Sequence, residues 1–536
     1  IVYRTIDVPA YRGSILGCDG RVLASTVPFY EVRMDCSVPD DLMLNRYLGD
    51  LSVALSRLFE DKSAAAYEQE ITRARVEKKP GYRNLELGNR LVSYDELQKI
   101  REFPIFNQGQ FKGGLIVNQK EKRIYPYGRM AYRTIGYISE DEQTGVGIEY
   151  AYNAYLKGNP GKDRVRRRSG DDKWVPVSSQ PEVAPKDGLD IVTTIDISIQ
   201  GAAESALREQ LSIDSTFEGA TTVVMEVGTG AIRAIVNMKR MPDGTYDETF
   251  NYAISESTNP GSTFKLATLI ALLEDGFVRL SDSIATGRNG WHYYGKTFTE
   301  ASGSYGTITV QQAFEKSSNV AFAKLAVEKY GEREKQFINR LYNMKLNERL
   351  NIELIGEGRA QIPFPGEEGW SRLSLPMIAM GYEMKLTPLH VLTFYNAIAN
   401  NGRMVTPYFI EHFTQHGRLV EQPEHTLLSG TLCTPATLRA VHQALRGVVE
   451  HGTASRINDP RYSISGKTGT AQIAYDGAFV HNGYRKHQAS FVGFFPSENP
   501  KYSMIVILYS SPTRGNFYGA SWAAPVFKKI ADHIYI

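Results

Sequence analysis

Between Pro39 and Asp61 the apolar residues Leu42, Leu44, Leu48, Leu51, Leu55 and Leu58 recur at helical intervals and predict an amphipathic helix. Ser93 with Glu96 three residues later forms a capping-box pattern opening a second helix, SYDELQKIREF, which Pro104 stops. Short strand-like runs and polar turns fill the rest of the chain up to about residue 180. The segment SSQPEVAPKDG (178–188) is rich in Ser, Pro and Gly and reads as a linker. Beyond it the pattern changes. A helix near Ser198 to Leu211 leads into TTVVMEV and AIRAIVNM, two apolar strands around Gly228-Thr229-Gly230 that predict an antiparallel hairpin. ASFVGFFP and YSMIVILYSS repeat the device around the turn Ser497 to Pro500, and Trp522 to Ile534 reads as a closing helix. Strands at both ends of this half, with mostly helical sequence between them, imply a sheet assembled from distant parts of the chain.

The chain has 536 residues, enough for about three or four domains and a substantial core. With 61 Lys+Arg against 59 Asp+Glu, its net charge of +2 supplies no global field for a polyanion, and nucleic acid is not an expected partner. One local basic cluster, Lys162, Arg164, Arg166, Arg167 and Arg168 before the turn Ser169-Gly170-Asp171-Asp172, reads as a solvated strand face. No apolar run approaches the roughly 18 residues of a membrane span, the longest being core-sized like Leu266 to Leu273. The chain starts at Ile1 in sequence that already looks folded, which suggests that an export or anchor segment has been removed. Three scattered cysteines, Cys18, Cys36 and Cys433, form neither a disulfide framework nor a zinc pattern, and a Cys18 to Cys36 bridge is the one pairing to consider.

The sharpest chemical signal is Asn259-Pro260-Gly261-Ser262-Thr263-Phe264-Lys265 ahead of the apolar helix LATLIALLEDG. Proline and glycine place Ser262 in the first turn, and a spacing of three puts Lys265 on the same face. A serine hydroxyl becomes a useful nucleophile when a neighbouring base takes its proton, and a lysine can do so once burial or nearby cations disfavour its charge. The bland alternative is a helix-capping serine with an exposed lysine. This is the only Ser-x-x-Lys in the chain. Ser317-Ser318-Asn319 lies between two helical segments, and Lys467-Thr468-Gly469-Thr470 lies in a β-type stretch whose glycines permit close backbone approach. For Lys467-Thr468-Gly469-Thr470 the alternative is an edge strand with a solvated lysine.

Ser-x-x-Lys, Ser-x-Asn and Lys-Thr-Gly, in that order, form the motif set of class A β-lactamases and penicillin-binding proteins. On these residues the chain resembles a penicillin-interacting serine transpeptidase. The resemblance extends to the N-terminal half of the class B, monofunctional penicillin-binding proteins. Arg12-Gly13-Ser14-Ile15 with Asp19-Gly20 and Leu23-Ala24 resembles that family's first non-catalytic motif. Arg123 to Gly128 leading to Ile135-Gly136-Tyr137 resembles the second, and Gly145 to Glu149 the third. Gly17-Cys18 departs from the family's usual Asp followed by a polar or basic residue.

The resemblance implies an α+β fold: a β-lactamase/transpeptidase-like domain (191–536), its antiparallel sheet flanked by helices, after an elongated N-terminal pedestal (1–190). It implies that Ser262 attacks the carbonyl between the terminal D-alanines of a peptidoglycan stem peptide, with Lys265 as base. Ser317 and Asn319 would relay the proton and hold the substrate amide, with Lys467 supporting Ser317 and helping to keep Lys265 neutral. Backbone N–H groups of Ser262 and Thr470 would form the oxyanion hole beside Gly469, and the hydroxyls of Thr468 and Thr470 would hold the terminal carboxylate. The segment Tyr475 to His487 would wall the groove, with His481 and His487 as surface histidines. No metal or organic cofactor is called for. The run Tyr518 to Lys528 and GVGIEYAYNAYLKG resemble the division type more than the elongation type. Expected partners are stem peptides, β-lactams, a polytopic membrane glycan polymerase and divisome proteins. The expected location is the outer face of the cytoplasmic membrane, through an N-terminal anchor helix. A β-lactamase or a catalytically idle β-lactam sensor are the alternatives.

Overall fold

The computed structural model describes residues 2–167, 174–178 and 180–536, so Arg168 and the turn Ser169 to Asp172 lie outside the described residues. The chain divides into two compact units, one of residues 24–126 and one combining residues up to 23 with 127–536.

In the smaller unit the predicted first helix runs over Asp41–Phe59, with the Asp40 side chain accepting from the Met43 N–H at its start. Leu44, Leu51, Leu55 and Phe59 pack with Tyr67 and Ile71 of the helix Ala64–Glu77 and with Val32 and Met34 of the strand Val22–Met34. Leu42, expected on that apolar face, is 83% exposed. Two residues before Leu44 is about 200° around the helix, which places it on the solvent side. The helix Tyr94–Glu102 carries both hydrogen bonds of the Ser93–Glu96 capping box. The strand Leu115–Ile124 pairs antiparallel with residues 25–34.

The larger unit is built on a six-stranded antiparallel sheet in the order Tyr246–Asp247, Ile232–Arg240, Phe217–Glu226, Tyr502–Ser510, Lys486–Phe495, Ser465–Ile473. Both predicted hairpins are present, and the N-terminal one joins the C-terminal one through Phe217–Glu226 and Tyr502–Ser510. The helices Ile197–Leu211 and Ala524–Tyr535 pack on each other and on the sheet. Pro388–Ala399 is buried along its whole length, as a helix apolar all round must be, and packs on the two central C-terminal strands. Its one amide, Asn396, donates to the Val227 carbonyl at 3.1 Å and accepts from the Ser503 hydroxyl at 2.7 Å.

Segments of the N-terminal motifs belong to this larger unit. Arg12 of the first motif forms an ion pair with the buried Glu149 of the third and donates to Asn153 Oδ1. Ile15–Leu16 pairs in parallel with Asp190–Thr193. The segment read as a linker pairs back on the chain before it, Val183 with Lys162 and Lys186 with Asn159. On the strand Gly161–Arg167 the described residues of the basic cluster, Lys162, Arg164, Arg166 and Arg167, are all exposed, and Val165 among them is buried. All three cysteines are free thiols. Among the described residues no helix is long and apolar enough to cross a membrane.

Candidate active site

Gly261 has a φ of +64° and opens a single tight turn, Gly261–Phe264, that runs on into the buried helix Lys265–Glu274. Tyr395 from the central helix donates to the Thr263 carbonyl at 2.7 Å and fixes that turn from behind. The turn lies against the edge strand Ser465–Ile473. Glycines on both sides allow the approach. A Cβ at Gly261 would come within 2.8 Å of Ala471 Cβ, and one at Gly469 would stand 3.0 Å from Thr263 Cγ2 and 2.3 Å from Ser490 Oγ.

Ser262 and Lys265 meet as their spacing predicts, with Nζ 3.1 Å from Oγ. The same Nζ reaches the Ser317 carbonyl at 2.9 Å, the Ser317 hydroxyl at 3.3 Å and Asn319 Oδ1 at 2.8 Å. Ser317, at φ +56°, turns both its carbonyl and its hydroxyl toward the lysine, and Ser318 caps the helix Asn319–Tyr330. Lys265 is not the exposed helical lysine of the bland alternative: it is 0% exposed, and burial pushes it down to about 7, with the Glu300 charge acting in the opposite direction.

Lys467 is equally buried, which removes the solvated edge-strand alternative. Its ammonium donates to the Thr468 carbonyl at 3.0 Å, and burial, then repulsion from Lys265, push it well below the usual lysine range. The expected repulsion between the two lysines thus falls on Lys467, while desolvation is what favours a neutral Lys265. Phe322 and Phe314 lie beneath Lys265 and Lys467 at 5.9 and 5.6 Å from their ring centroids.

Thr468 and Thr470 sit in the strand with their hydroxyls engaged: Thr468 with Thr453 at 2.6 Å, and Thr470 accepting from the Gly519 N–H at 3.3 Å. Thr453, Glu300 and the two phenylalanines carry no sequence signal, since no short motif joins them to Ser262, and Gly519 stands out only within the run Tyr518 to Lys528. In the segment 475–487, two small turns close through Tyr475 with Ala478 and His481 with Tyr484. Phe479 meets Tyr382 edge-on at 6.4 Å, and the Tyr382 hydroxyl accepts from the Gln472 N–H at 3.4 Å. His487, expected in this loop, is instead buried in the strand Lys486–Phe495, which is covered on both faces from His487 onward.

The model of the penicillin-binding protein transpeptidase domain matches residues 220–532, and that of the penicillin-binding protein dimerisation domain matches 7–193. The chain belongs to the penicillin-binding protein transpeptidases. The pairing of the two matches is that of the class B proteins. This transpeptidase is 25% identical to "Peptidoglycan D,D-transpeptidase FtsI" of Escherichia coli, over 98% of this chain and 84% of the relative. It is 26% identical to "Stage V sporulation protein D" of Bacillus subtilis, over 85% of this chain and 69% of the relative. In fold it is similar to penicillin-binding protein 2X of Streptococcus thermophilus, with a TM-score of 0.78 and 19% identity over 99% of this chain and 80% of that one.

Proposed function

We propose that this chain is a peptidoglycan D,D-transpeptidase in which Ser262 is the nucleophile and Lys265 its base. The observation that carries the reading is a fully desolvated lysine, pushed down to about 7, within hydrogen-bond reach of the Ser262 and Ser317 hydroxyls. Neutral Lys265 takes the Ser262 proton as Oγ attacks the carbonyl between the terminal D-alanines. The peptide C–N bond then breaks, and the proton reaches the departing D-alanine amine from Lys265 through Ser317. An amine from a neighbouring stem peptide attacks the ester, loses its proton by the same route, and leaves with a new amide bond while Ser262 regains its hydrogen. A β-lactam enters by the same first step, its ring amide opening in place of the peptide bond.

Asn319 presents its amide to substrate and to Lys265, Lys467 holds a polar strand edge beside Ser317, and Thr468, Gly469 and Thr470 receive the substrate's terminal carboxylate. The N–H groups of Ser262 and Thr470 stabilise the oxyanion. We assign residues 1–190 to the pedestal and 191–536 to catalysis. The division-type reading is favoured by the run Tyr518 to Lys528. It places the enzyme at the outer face of the cytoplasmic membrane, anchored, beside a polytopic glycan polymerase and divisome proteins. A β-lactamase is disfavoured by the long N-terminal half, which carries the three non-catalytic motifs and matches the penicillin-binding protein dimerisation domain over residues 7–193. Intact-mass measurement after incubation with a penicillin tests the reading: a lasting adduct on the parent and none on Ser262→Ala is expected, whereas rapid turnover indicates a β-lactamase and no adduct on the parent refutes it.

A further inference from the structure

Glu300 follows the small hairpin Trp291–Tyr293 with Lys296–Phe298 and is half-buried beside the motif residues. One carboxylate oxygen accepts from the Ser318 hydroxyl at 2.6 Å and the other from the Asn319 backbone N–H at 3.0 Å. Both donors open the helix Asn319–Tyr330, where the unpaired N–H groups and the helix dipole favour an anion. The preceding residue, Thr299, accepts from Asn319 Nδ2 at 3.2 Å, which leaves Oδ1 to receive the Lys265 ammonium. One dipeptide therefore holds the backbone and the amide of Asn319 together. The charge of Glu300 also opposes the effect of burial on Lys265, while Lys467, the other titratable group facing that lysine, is itself pushed toward its neutral form.

We propose that Glu300 is a positioning residue for acylation, clamping the Ser317–Asn319 turn against Lys265 from the start of the helix Asn319–Tyr330. The inference rests on the roles given above to Ser262 and Lys265. It predicts slower acylation without the clamp, because an amide keeps one oxygen and puts a donor NH₂ where the carboxylate offers a second acceptor, so the two-oxygen grip on Ser318 and Asn319 is lost. Because the Glu300 charge opposes the effect of burial on Lys265, the same change also lets Lys265 lose its proton at lower pH.

The test is the second-order rate of acylation by a penicillin from pH 5.5 to 9 for the parent, Glu300→Gln and Glu300→Asp. For Glu300→Gln the high-pH plateau is expected to fall about tenfold and the midpoint of the rise to move about one pH unit lower. Glu300→Asp, which keeps the charge on a shorter arm, is expected to lose plateau rate while keeping the parent's midpoint. A Glu300→Gln variant matching the parent in both quantities overturns the proposal. So does a slower plateau with an unmoved midpoint, since a purely structural residue would give that result. Absence of acylation in the parent would refute the assignment of Ser262 and Lys265 instead, an outcome recognised before any Glu300 variant is compared.

Discussion

The Lys265 ammonium nitrogen stands 3.1 Å from the Ser262 hydroxyl oxygen in a pocket that excludes water from the lysine entirely. Burial pushes Lys265 down to about 7, so the neutral fraction that can accept a proton rises as pH passes that value. The rate of acylation by a penicillin is expected to climb through about pH 7 and then level. Lys265→Arg, which stays protonated throughout, should lose about 10²–10⁴-fold on the plateau above pH 7, with the gap narrowing at lower pH where Lys265 is itself protonated. Stopped-flow acylation of both proteins checks this, and an arginine variant as fast as the parent would remove Lys265 from the role.

Gly261 combines a left-handed backbone with a close neighbour, its φ of +64° and the Ala471 Cβ 2.8 Å from where a Cβ would stand. Gly261→Ala should cost about 1–2 kcal/mol from the backbone alone. Relieving the contact moves the nucleophile turn away from the edge strand, so acylation is expected to fall at least tenfold. Thermal unfolding and adduct formation, measured on the same sample, separate the two effects. An alanine variant with parental acylation would show that this approach does not position Ser262.

Ser262 and Lys265 were legible because a spacing of three on a helix puts two side chains on one face, whatever the rest of the fold does. The antiparallel hairpins were legible from apolar runs around short turns, Gly228-Thr229-Gly230 in one and Ser497 to Pro500 in the other. Glu300 was not, because it is brought to Asn319 by a hairpin whose turn has no strong signature and by a loop after it. Burial of Lys467 was equally hidden. A lysine on an edge strand is ordinarily solvated, and only the helices packed over this edge, with Phe314 beneath the ammonium, remove it from water. The unit 24–126 shows no compositional break at either end, since it lies between family motifs and shares their mixed pattern.

Thr453 bonds the Thr468 hydroxyl at 2.6 Å from outside the three motifs. Thr453→Val keeps the shape but frees a nearly buried hydroxyl to rotate away from an incoming carboxylate. Losing one such hydrogen bond costs about 1 kcal/mol, so capture of a carboxylate-bearing β-lactam should weaken roughly fivefold, with little change in the limiting rate. Acylation measured against inhibitor concentration distinguishes the two. A change confined to the limiting rate would place Thr453 in the chemical step and not in carboxylate binding.

Glu248 joins the second N-terminal motif to the catalytic sheet: its two carboxylate oxygens accept from the backbone N–H groups of Arg133 and Asn237, both at 2.9 Å. Burial is the dominant influence and raises the group from 4.5 to about 8, the two N–H donors acting in the other direction. The folded chain therefore holds this proton where the unfolded chain has released it. The resulting stabilisation is fully present below about pH 4.5 and is lost as pH rises toward about 8. One such proton sets a slope of at most about 1.4 kcal/mol per pH unit. Glu248→Gln removes the titration while keeping the volume, though its amide nitrogen cannot accept from one of the two N–H groups. The variant should be less stable than the parent at pH 5, with the gap narrowing toward pH 8. Urea unfolding of both proteins at pH 5, 6.5 and 8 measures that gap, and a constant difference across the three would show that Glu248 carries no linked proton in this range.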